Sequence, residues 1–376
     1  MSNKPKLRFK EFNDSIVECR IENVLKIKHG KDQKAIECKD GIYPILATSG
    51  EIGRTNTYLW NKPCVLIGRK GTINKPQYMD TPFWTVDTLF YSDVNSSNNA
   101  KYLYYLFNTI NWKRYDESTG VPSLSAKTVE RIKVIITNNK DEQKKIAEFL
   151  SKVDEVIAER EEEVKDLKKQ KKGLMQKIFS QELRFTDSNN NPYPNWEEKK
   201  IKDIGYISMC KRIFREQTSS KGDIPFYKIG TFGKEPDAFI SRELFQEYKE
   251  KYPYPKTGNI LISASGTIGR TVEYNGEDAY YQDSNIIWIN HNDLIMDKFL
   301  NVIIQNTNWD KVIEGSTIKR LYNNNLLELK ISLPCLEEQQ KISNVLSKLD
   351  ELIEEKKALL SDWQSFKKGL LQQMFV

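Results

Sequence analysis

Two turns of the sequence, one in each half, carry residue types that bind phosphate groups. The turn GRKGT (68–72) follows the apolar run VLI (65–67), and SASGTIGR (263–270) follows LI (261–262). Glycine lets backbone amides approach a phosphate, hydroxyl groups donate hydrogen bonds to it, and Arg or Lys can also reach a base edge. The alternative for each turn is an ordinary hairpin with solvated charges. Recurrence of the turn in both halves favours a polyanion-binding role.

The sequence lacks the residue constellations of an enzyme. Its only histidines, His29 and His291, have no acidic residue or cysteine at metal-ligand spacing, and we interpret both as surface residues. Neither the G-x-x-x-x-G-K-[ST] phosphate loop nor a G-x-G-x-x-G turn after a strand is present. We therefore expect a chain that binds but does not catalyse, with no metal or cofactor of its own.

Length and composition indicate a soluble protein of at least two domains. The 376 residues exceed the size at which a single core stops growing, and 58 Lys and Arg against 52 Asp and Glu give a net charge of +6, which permits a polyanionic partner. The five cysteines are scattered and odd in number, as expected of reduced thiols. No run approaches about 18 apolar residues, and the start lacks a secretion signal, so we expect a cytoplasmic protein without membrane contact.

The chain contains an internal repeat of nearly half its length. EQKKIAEFLSKVDEVI (142–157) returns as EQQKISNVLSKLDELI (338–353), with ten of sixteen positions identical at an offset of 196. LRF at 7–9 returns at 183–185, and the intervening segments match more loosely but in the same order. A unit of this length is a duplicated domain and not a solenoid repeat. Two such copies predict a pseudo-two-fold arrangement.

Each copy ends in a long helix with an apolar seam. The apolar residues recur at alternating spacings of three and four, which is typical of a helix packed along another helix. From 141 to 179 the first helix would extend about 58 Å, and Asn139 before Glu142 resembles a capping box. The alternative is that each helix packs only on its own domain. We predict an antiparallel coiled coil whose seam contains Ile146, Leu150, Val153, Ile157, Val164, Leu167, Ile342, Leu346, Leu349, Ile353, Leu360 and Trp363.

The globular part of each copy mixes strands and helices. Alternating apolar residues predict strands over 129–137 and 326–334, and further strands over NILISASG (259–266) and AYYQDSNIIWIN (279–290). Helices are predicted over 100–115 and 296–309. We therefore expect an α+β fold: two pseudo-two-fold-related domains joined by two long helices that form an antiparallel coiled coil.

These segments together resemble the specificity subunit of type I restriction-modification systems. The resemblance rests on LRF, on WEEKKIKDI (196–204), on GRKGTI followed by FWTVDTLFY (83–91), and on the two EQ-x-K-I helices. It spans essentially the whole chain. In the second half, Asp283 stands where the first half has Asp87. The segments that differ most between the halves are those that such subunits vary.

The resemblance implies a non-catalytic subunit that reads a bipartite duplex DNA site. The expected division is a first target-recognition domain (1–140), a central spacer helix (141–180), a second target-recognition domain (181–336) and a distal spacer helix (337–376). The paired helices would dock two methyltransferase subunits, and restriction subunits would join through them. S-adenosylmethionine, ATP and Mg²⁺ are expected on these partners and not on this chain.

The turns and the resemblance together define a set of candidate DNA contacts, whose target bases the sequence leaves open. The set contains Ser49, Arg69, Lys70, Thr72, Lys75, Thr119, Lys228, Lys234, Ser265, Thr267, Arg270, Ser316, Lys319 and Arg320. The main alternative is a coiled-coil scaffold whose globular ends bind a non-nucleic-acid ligand, which salt-dependent binding of duplex DNA would exclude. A self-contained methyltransferase would require binding of S-adenosylmethionine by this chain.

Overall fold

The computed structural model describes residues 5–313 and 320–375. The chain divides into two compact units: unit 1 contains Met1–Glu163 and Lys356–Val376, and unit 2 contains Val164–Glu355. Both units mix strands and helices, so the predicted α+β class is confirmed. All five cysteines are free thiols.

Unit 1 builds its globular part from short strands and two short helices. The strands are Ile16–Arg20 (β1), Leu25–Lys28 (β2), Tyr43–Ala47 (β3), Gly50–Thr55 (β4), Cys64–Gly68 (β5), Gln77–Met79 (β6), Trp84–Thr85 (β7), Leu89–Val94 (β8) and Lys133–Thr137 (β9). The helices are Ala100–Phe107 (α1), Ala126–Arg131 (α2) and the first part of the long helix Lys140–Phe179 (α3).

Unit 2 repeats this order of elements with one added helix, and it has short α-helices where unit 1 has 3-10 turns at Ile21–Asn23 and Trp112–Tyr115. Its strands are Glu197–Lys200 (β10), Gly205–Ser208 (β11), Ile224–Tyr227 (β12), Phe239–Ile240 (β13), Ile260–Ser263 (β14), Thr271–Glu273 (β15), Tyr280–Tyr281 (β16), Ile286–His291 (β17) and Lys330–Leu333 (β18). Its helices are Ile201–Ile204 (α4), Arg242–Lys251 (α5), Asp297–Asn306 (α6), Trp309–Val312 (α7), Asn323–Leu327 (α8) and the first part of Leu336–Met374 (α9). Helix α5 is the addition.

The sheets of the two units have the same topology. In unit 1 the orders are β1-β9, β2-β8-β5-β6 and β4-β3-β7, and in unit 2 they are β10-β18, β11-β17-β14-β15 and β13-β12-β16. The pairs β3–β7 and β12–β16 are parallel, and every other pair of named strands is antiparallel. This shared topology is the structural counterpart of the sequence repeat.

One of the two inner strands of each four-stranded sheet, here called its central strand, is fully buried. Every residue of β5 and of β14 is buried, and helices α1 and α6 pack their apolar sides in the same cores. Burial on both faces explains why these strands appear in the sequence as unbroken apolar runs and not as an alternating pattern. Each strand therefore gives a rigid base to the turn that follows it.

Two predicted strands are wrong in their first halves. In the segment 129–137, the residues up to Arg131 belong to α2, whose first turn is capped by the Ser125 side chain accepting from the Thr128 amide. The strand begins only at Lys133, where the register with β1 starts. In the segment 326–334, the residues up to Leu327 likewise belong to helix α8, and β18 begins only at Lys330. The apolar residues of these two helices lie at spacings that resemble the alternation of a strand, so the predicted strands were too long.

Three further predicted elements are shorter than expected. The helix predicted over 100–115 ends at Phe107 and is followed by a 3-10 turn over Trp112–Tyr115, because the Trp112 indole donates to the Phe107 carbonyl and folds the chain back. The helix predicted over 296–309 divides in the same way into α6 and α7. The strand predicted over 279–290 is interrupted at Ser284, whose φ of +53° breaks the extended backbone.

The long helices pair antiparallel within each unit, which confirms the predicted pairing. In unit 1, Asp154 and Glu163 of α3 form ion pairs with Lys367 and Lys356 of α9, at 2.5 and 2.7 Å, so residue numbers rise along one helix as they fall along the other. In unit 2, the remaining parts of the same helices are joined by an ion pair between Lys171 and Asp350.

The first turn of each long helix is held by a buried glutamate. In unit 1, both carboxylate oxygens of Glu142 accept from the guanidinium of Arg8, at 2.6 and 2.8 Å. In unit 2, Glu338 accepts from Arg184 and also from the indole of Trp196. The LRF segments thus supply the counterions of the EQ motifs.

The predicted capping box of α3 is only half present. The Asn139 side chain accepts from the amide of Glu142, as a cap should. The Glu142 carboxylate does not return a bond to the Asn139 amide, because it is occupied by Arg8 and by the hydroxyl of Thr137. The Asn139 amide donates to the Thr137 hydroxyl instead.

Candidate nucleic-acid interface

In unit 1, the turn after β5 lies beside a loop that is distant in sequence. The Leu124 amide donates to the Arg69 carbonyl at 2.9 Å, and the Gly71 amide donates to the Pro122 carbonyl at 2.8 Å. Gly71 has a φ of +83°, which a residue with a side chain rarely adopts. The backbone therefore joins the turn 69–72 to the loop 116–123, and we call this combination the unit 1 loop pair.

The second member of the unit 1 loop pair is organised around Asp116. Its carboxylate accepts from the amide and hydroxyl of Ser118 and from the amide of Ser123. The bond from the Ser123 amide is the main cause that holds the pKa of Asp116 below its usual range. The carboxylate is therefore ionised at neutral pH and closes the loop, which leaves Thr119 exposed near its tip.

Unit 2 contains the equivalent arrangement. The Leu321 amide donates to the Ala264 carbonyl at 2.8 Å, and Ser265 and Arg320 form an isolated bridge. Gly269 has a φ of +78°, and a Cβ atom there would come within 1.8 Å of the Trp309 indole. The turn 264–270 and residues 320–321 form the unit 2 loop pair. Ser316 and Lys319 lie outside the described residues.

Several of the candidate cations are engaged inside the protein. Arg69 forms an ion pair with Asp87 and lies over the Phe90 ring. The guanidinium of Arg270 donates to the Ile229 carbonyl at 2.9 Å and lies 5.2 Å from the centre of the Phe232 ring. These contacts hold both guanidinium groups against their own unit.

Three other candidates also have internal partners. Arg320 donates to the Ser284 carbonyl at 2.8 Å. Lys228 forms an ion pair with Asp237 at 2.8 Å, and the Ser265 hydroxyl donates to the Asn285 side chain. Four of the six described candidates of unit 2 therefore have internal partners.

The remaining candidates face solvent. They make no side-chain hydrogen bond or ion pair with other parts of the described chain. In unit 1 they are Ser49, Lys70, Thr72, Lys75 and Thr119, and in unit 2 they are Thr267 and Lys234. Thr72 and Thr267 occupy equivalent positions of the two turns. These side chains are available to a ligand without breaking an internal contact.

Sequence reasoning missed Arg212 and Tyr322, which lie near the unit 2 loops. Arg212 forms an ion pair with Asp283 at 2.9 Å, yet more than half of its side chain is exposed. Tyr322 follows Arg320 and Leu321 and is 49% exposed. A tyrosine two residues after an arginine was a usable signal, whereas nothing in the sequence connected Arg212 with Asp283, 71 residues away.

The predicted seam residues are distributed between buried and partly buried positions. The buried ones are Ile146, Leu150, Val153, Val164, Ile342, Leu346 and Ile353. The partly buried ones are Ile157, Leu167, Leu349, Leu360 and Trp363. The side chains nearest the ends of the long helices also join the cores of the globular parts, so the seam and these cores are continuous.

No cluster of three or more His, Cys, Asp or Glu side chains suited to a metal ion occurs among residues 5–313 and 320–375. Within the same residues, no helix is both long and apolar enough to cross a membrane. His291, which we expected at the surface, is largely buried and lies 3.1 Å from the carboxylate of Asp297.

Comparison with curated proteins gives relatives of one kind. A putative type I restriction enzyme specificity subunit of Haemophilus influenzae is 59% identical over 151 residues, which cover 40% of this chain and 39% of the relative. The MjaVIII type I restriction enzyme specificity subunit of Methanocaldococcus jannaschii is 27% identical over 281 residues, which cover 69% of this chain and 65% of the relative. The chain therefore spans less than two thirds of the length of either.

Solved structures share the fold. The crystal structure of the type I restriction-modification S subunit from M. genitalium matches 99% of both chains with a TM-score of 0.68 at 18% identity. A chain from a structural study of assembly and conformational transition of a type I restriction-modification system matches 96% of this chain and 97% of its own length, with a TM-score of 0.57 at 14% identity.

A family model settles the relationship. The model of the type I restriction modification DNA specificity domain matches twice, over residues 13–168 and 193–361. The two matches fall in the two halves of the sequence repeat and together cover most of the chain. The chain therefore belongs to the family of type I restriction-modification DNA specificity proteins.

Proposed function

We propose that this chain is the subunit that gives a type I restriction-modification complex its DNA sequence specificity, and that it has no catalytic activity of its own. One observation carries the proposal: in both units the glycine turn after the buried central strand is joined by a backbone hydrogen bond to a segment distant in sequence, at Leu124 in unit 1 and at Leu321 in unit 2. A rigid strand with a glycine turn at its end presents amides and exposed side chains to a phosphate or a base edge. Two such loop pairs suit a target with two parts.

In each loop pair, some residues hold the loops in place and others are free to contact DNA. In unit 1, the ion pair of Arg69 with Asp87 and the bonds to Pro122 and Leu124 hold the loops, and Lys70, Thr72 and Lys75 are free to touch DNA. Lysines there would contact phosphates, which adds affinity for every sequence. A threonine can hydrogen-bond to a base edge and so add discrimination.

The proposed target is a bipartite duplex site. Residues 1–140 form one target-recognition domain and residues 181–336 the other, and the long helices 141–180 and 337–376 act as spacers. Duplex DNA has a local two-fold axis, so two like domains can read its two sides. The repeat of nearly half the chain supports this assignment.

The proposed partners supply the chemistry. Two methyltransferase subunits dock on the long helices and bring S-adenosylmethionine for adenine methylation. Restriction subunits join through them and bring ATP and Mg²⁺. The near-identity of the two EQ-x-K-I segments supports equivalent docking of two copies of one partner. The competing scaffold with a non-nucleic-acid ligand has no comparable support among the relatives.

The proposal is tested with the chain assembled with its methyltransferase subunits. Adenine methylation of random duplexes is mapped for the parent protein and for two matched variants, Thr72→Ala in unit 1 and Thr267→Ala in unit 2. Each variant should relax one half of a bipartite sequence and leave the other half unchanged, at a cost of about 1–3 kcal/mol where a base contact is lost.

Two controls accompany this test. The chain alone, incubated with S-adenosylmethionine and Mg²⁺, should transfer no methyl group and cut no DNA. Binding of the parent chain to a duplex should weaken steeply with salt, since phosphate contacts release counterions. Salt-independent binding, or methylation that ignores sequence, would overturn the proposal.

A further inference from the structure

A basic groove lies in unit 1 outside the loop pair. It has a volume of about 760 Å³, and α3 forms one wall over residues 140–155, a length of about 22 Å. The opposite wall comes from the residues before β5, from β6 and from the start of α1. Five lysines and two glutamates line the groove, which gives it a net charge of +3. The lysines are Lys62, Lys101, Lys140, Lys144 and Lys152.

The lysines of the groove are largely uncompensated. Lys144 lies 3.8 Å from Glu148 one helical turn away, which is a weak exposed pair. Lys140 donates to the Ser96 carbonyl, and Lys101 lies over the Tyr78 ring. None of the other four lysines forms an ion pair within the described residues. Apolar and small side chains, including Ala147 and Val94, fill the floor between the charges.

The groove is separate from the interface proposed for DNA. Pro63 lies before β5 and lines the groove, whereas Arg69 follows β5 and belongs to the loop pair. A strand of five residues places these two ends roughly 15 to 20 Å apart. A ligand of the groove is therefore not the same group that the loops contact.

The equivalent positions of unit 2 have the opposite charge. The shared sheet topology and the aligned helices give the counterparts directly: Tyr78 pairs with Val65 of β5, and Glu273 pairs with Ile260 of β14. Charged residues at the unit 2 counterparts are two lysines and four carboxylates, a net charge of −2 with His291 counted as neutral. They are Lys298, Lys348, Glu273, Asp293, Asp297 and Glu351.

A cavity of unit 2 overlaps only part of these counterpart positions, and none of its lining residues belongs to α9. It has a volume of about 770 Å³ and includes Asn292 and Asp297, the counterparts of Asn95 and Ala100 in the groove. Lys140 and Lys144 of α3 correspond to Leu336 and Gln340 of α9. A partner that docks on the exposed faces of both helices meets a basic surface in unit 1 and an acidic one in unit 2.

We propose that the groove of unit 1 binds an acidic segment of the methyltransferase subunit, and that two identical copies of that subunit therefore bind this chain with unequal affinity. The inference rests on the proposed function, which assigns the exposed faces of the long helices to that partner. Charge complementarity selects carboxylates for the groove, and the same segment is repelled at the unit 2 counterpart. The copy next to unit 1 binds first and more tightly.

The test measures stepwise binding of a purified methyltransferase subunit by native mass spectrometry and calorimetry. The variant Lys140→Glu/Lys144→Glu should raise the dissociation constant of the first copy by at least about tenfold and leave the second unchanged. The matched control Lys34→Glu/Lys39→Glu changes the same number of charges at exposed positions of unit 1 outside the groove and outside the long helices. It should leave both dissociation constants unchanged.

Further variants test the inference from other directions. Lys62→Glu/Lys101→Glu alters the opposite wall and should reproduce the effect if the α3 variant does not fold. Glu273→Lys/Glu351→Lys should lower the dissociation constant of the second copy.

Equal weakening of the binding of both copies, no weakening, or tighter binding by the α3 variant would overturn the inference. So would an equal loss of duplex affinity, since the groove would then be a DNA contact. Failure of the parent chain to bind any methyltransferase subunit would instead overturn the proposed function.

Discussion

Lys171 of α3 donates to both carboxylate oxygens of Asp350 on α9, at 2.6 and 2.7 Å. Unit 1 repeats this pair at an offset of 196 residues, with Lys367 and Asp154. In the sequence, Lys171 and Lys367 interrupt the apolar seam at the same place in each copy. The interruptions are thus ion pairs across the two helices, and each fixes the register of the pair in its own unit.

Replacing Asp350 should show how much its ion pair with Lys171 contributes to the free energy of unfolding. In Asp350→Ala, Lys171, whose side chain is 13% exposed, keeps the neutral Gln305 side chain as its one partner among the described residues. We expect a loss of about 1–3 kcal/mol in the free energy of unfolding, measured by urea denaturation. Lys168→Ala on the exposed face is the control and should stay within about 0.5 kcal/mol. Equal stability of the two variants would mean that the pair does not hold the register.

Replacing the buried Glu338 should lower the free energy of unfolding by more than replacing Asp350. Arg184 and Trp196 both donate to its carboxylate, and the side chain has no exposed surface. Glu338→Ala leaves a partly buried guanidinium without its counterion, which should cost about 3 kcal/mol or more in the free energy of unfolding. The neighbouring exposed Glu337 provides the control, since Glu337→Ala removes the same charge without removing a buried partner. The comparison is made by the same denaturation measurement.

The sequence predicted well what depends on local spacing. The three-four spacing of apolar residues, which is visible within one short window, indicated the long helices, and the repeat of that window at an offset of 196 indicated their pairing. Partners such as Arg8 and Glu142 are 134 residues apart, and no local pattern connects them. The LRF segment was recognisable as a marker of each copy, but its role as a counterion required the folded chain.

The candidate site could be predicted only in part for the same reason. The glycine turns after β5 and β14 were recognisable from residue types. Their contact with a second loop depends on hydrogen bonds such as that from the Gly71 amide to the Pro122 carbonyl, across some 50 residues. Residue type also could not separate Lys70, which faces solvent, from Arg69, which is bound to Asp87. Exposure and partners, and not composition, distinguish contact residues from positioning residues.

The adjacent residues Lys70 and Arg69 should behave differently when each is replaced by alanine. Lys70→Ala should weaken binding to all duplexes alike by about 1 kcal/mol and reduce the slope of log affinity against log salt by about one, since one phosphate contact is lost. Arg69→Ala should instead loosen the loop by freeing Asp87 and so alter the sequence read by unit 1. Fluorescence anisotropy at several salt concentrations measures the first effect, and methylation mapping measures the second. A change of sequence preference in Lys70→Ala would contradict this division.

Stability of unit 2 should depend on pH through His291. The carboxylate of Asp297, 3.1 Å from Nε2 of His291, raises the pKa of His291 in the folded protein above its usual value near 6.5. The protonated form is therefore favoured by folding, so the contribution is fully present below about pH 6.5 and is lost as pH rises through the higher folded pKa. His291→Gln should lower the urea midpoint relative to the parent at pH 5.5 and by less at pH 8.5. Asp297→Asn should remove the same dependence, and a difference that grows with pH would contradict the assignment.

Insertion of one heptad into each long helix tests whether the helices set the spacing of the half-sites. The helices pass from one unit to the other between Glu163 and Val164 and between Glu355 and Lys356. Seven residues added at both places lengthen each helix by about 10 Å and preserve the seam, because a heptad restores the same face of a paired helix. The register of each ion pair within its own unit is also preserved, so both units should fold as before.

The expected result is a longer spacer between unchanged half-sites. An extension of about 10 Å corresponds to roughly three base pairs at 3.4 Å per pair. Selection from random duplexes, with the chain assembled with its methyltransferase subunits, measures both the half-sequences and their separation. Four residues inserted in each helix serve as the matched control: they add length but rotate the seam out of register, which should weaken assembly and not produce a clean new spacing. An unchanged spacer with full binding by the heptad protein would show that something other than these helices sets the distance, because the length between the loop pairs would have grown without effect.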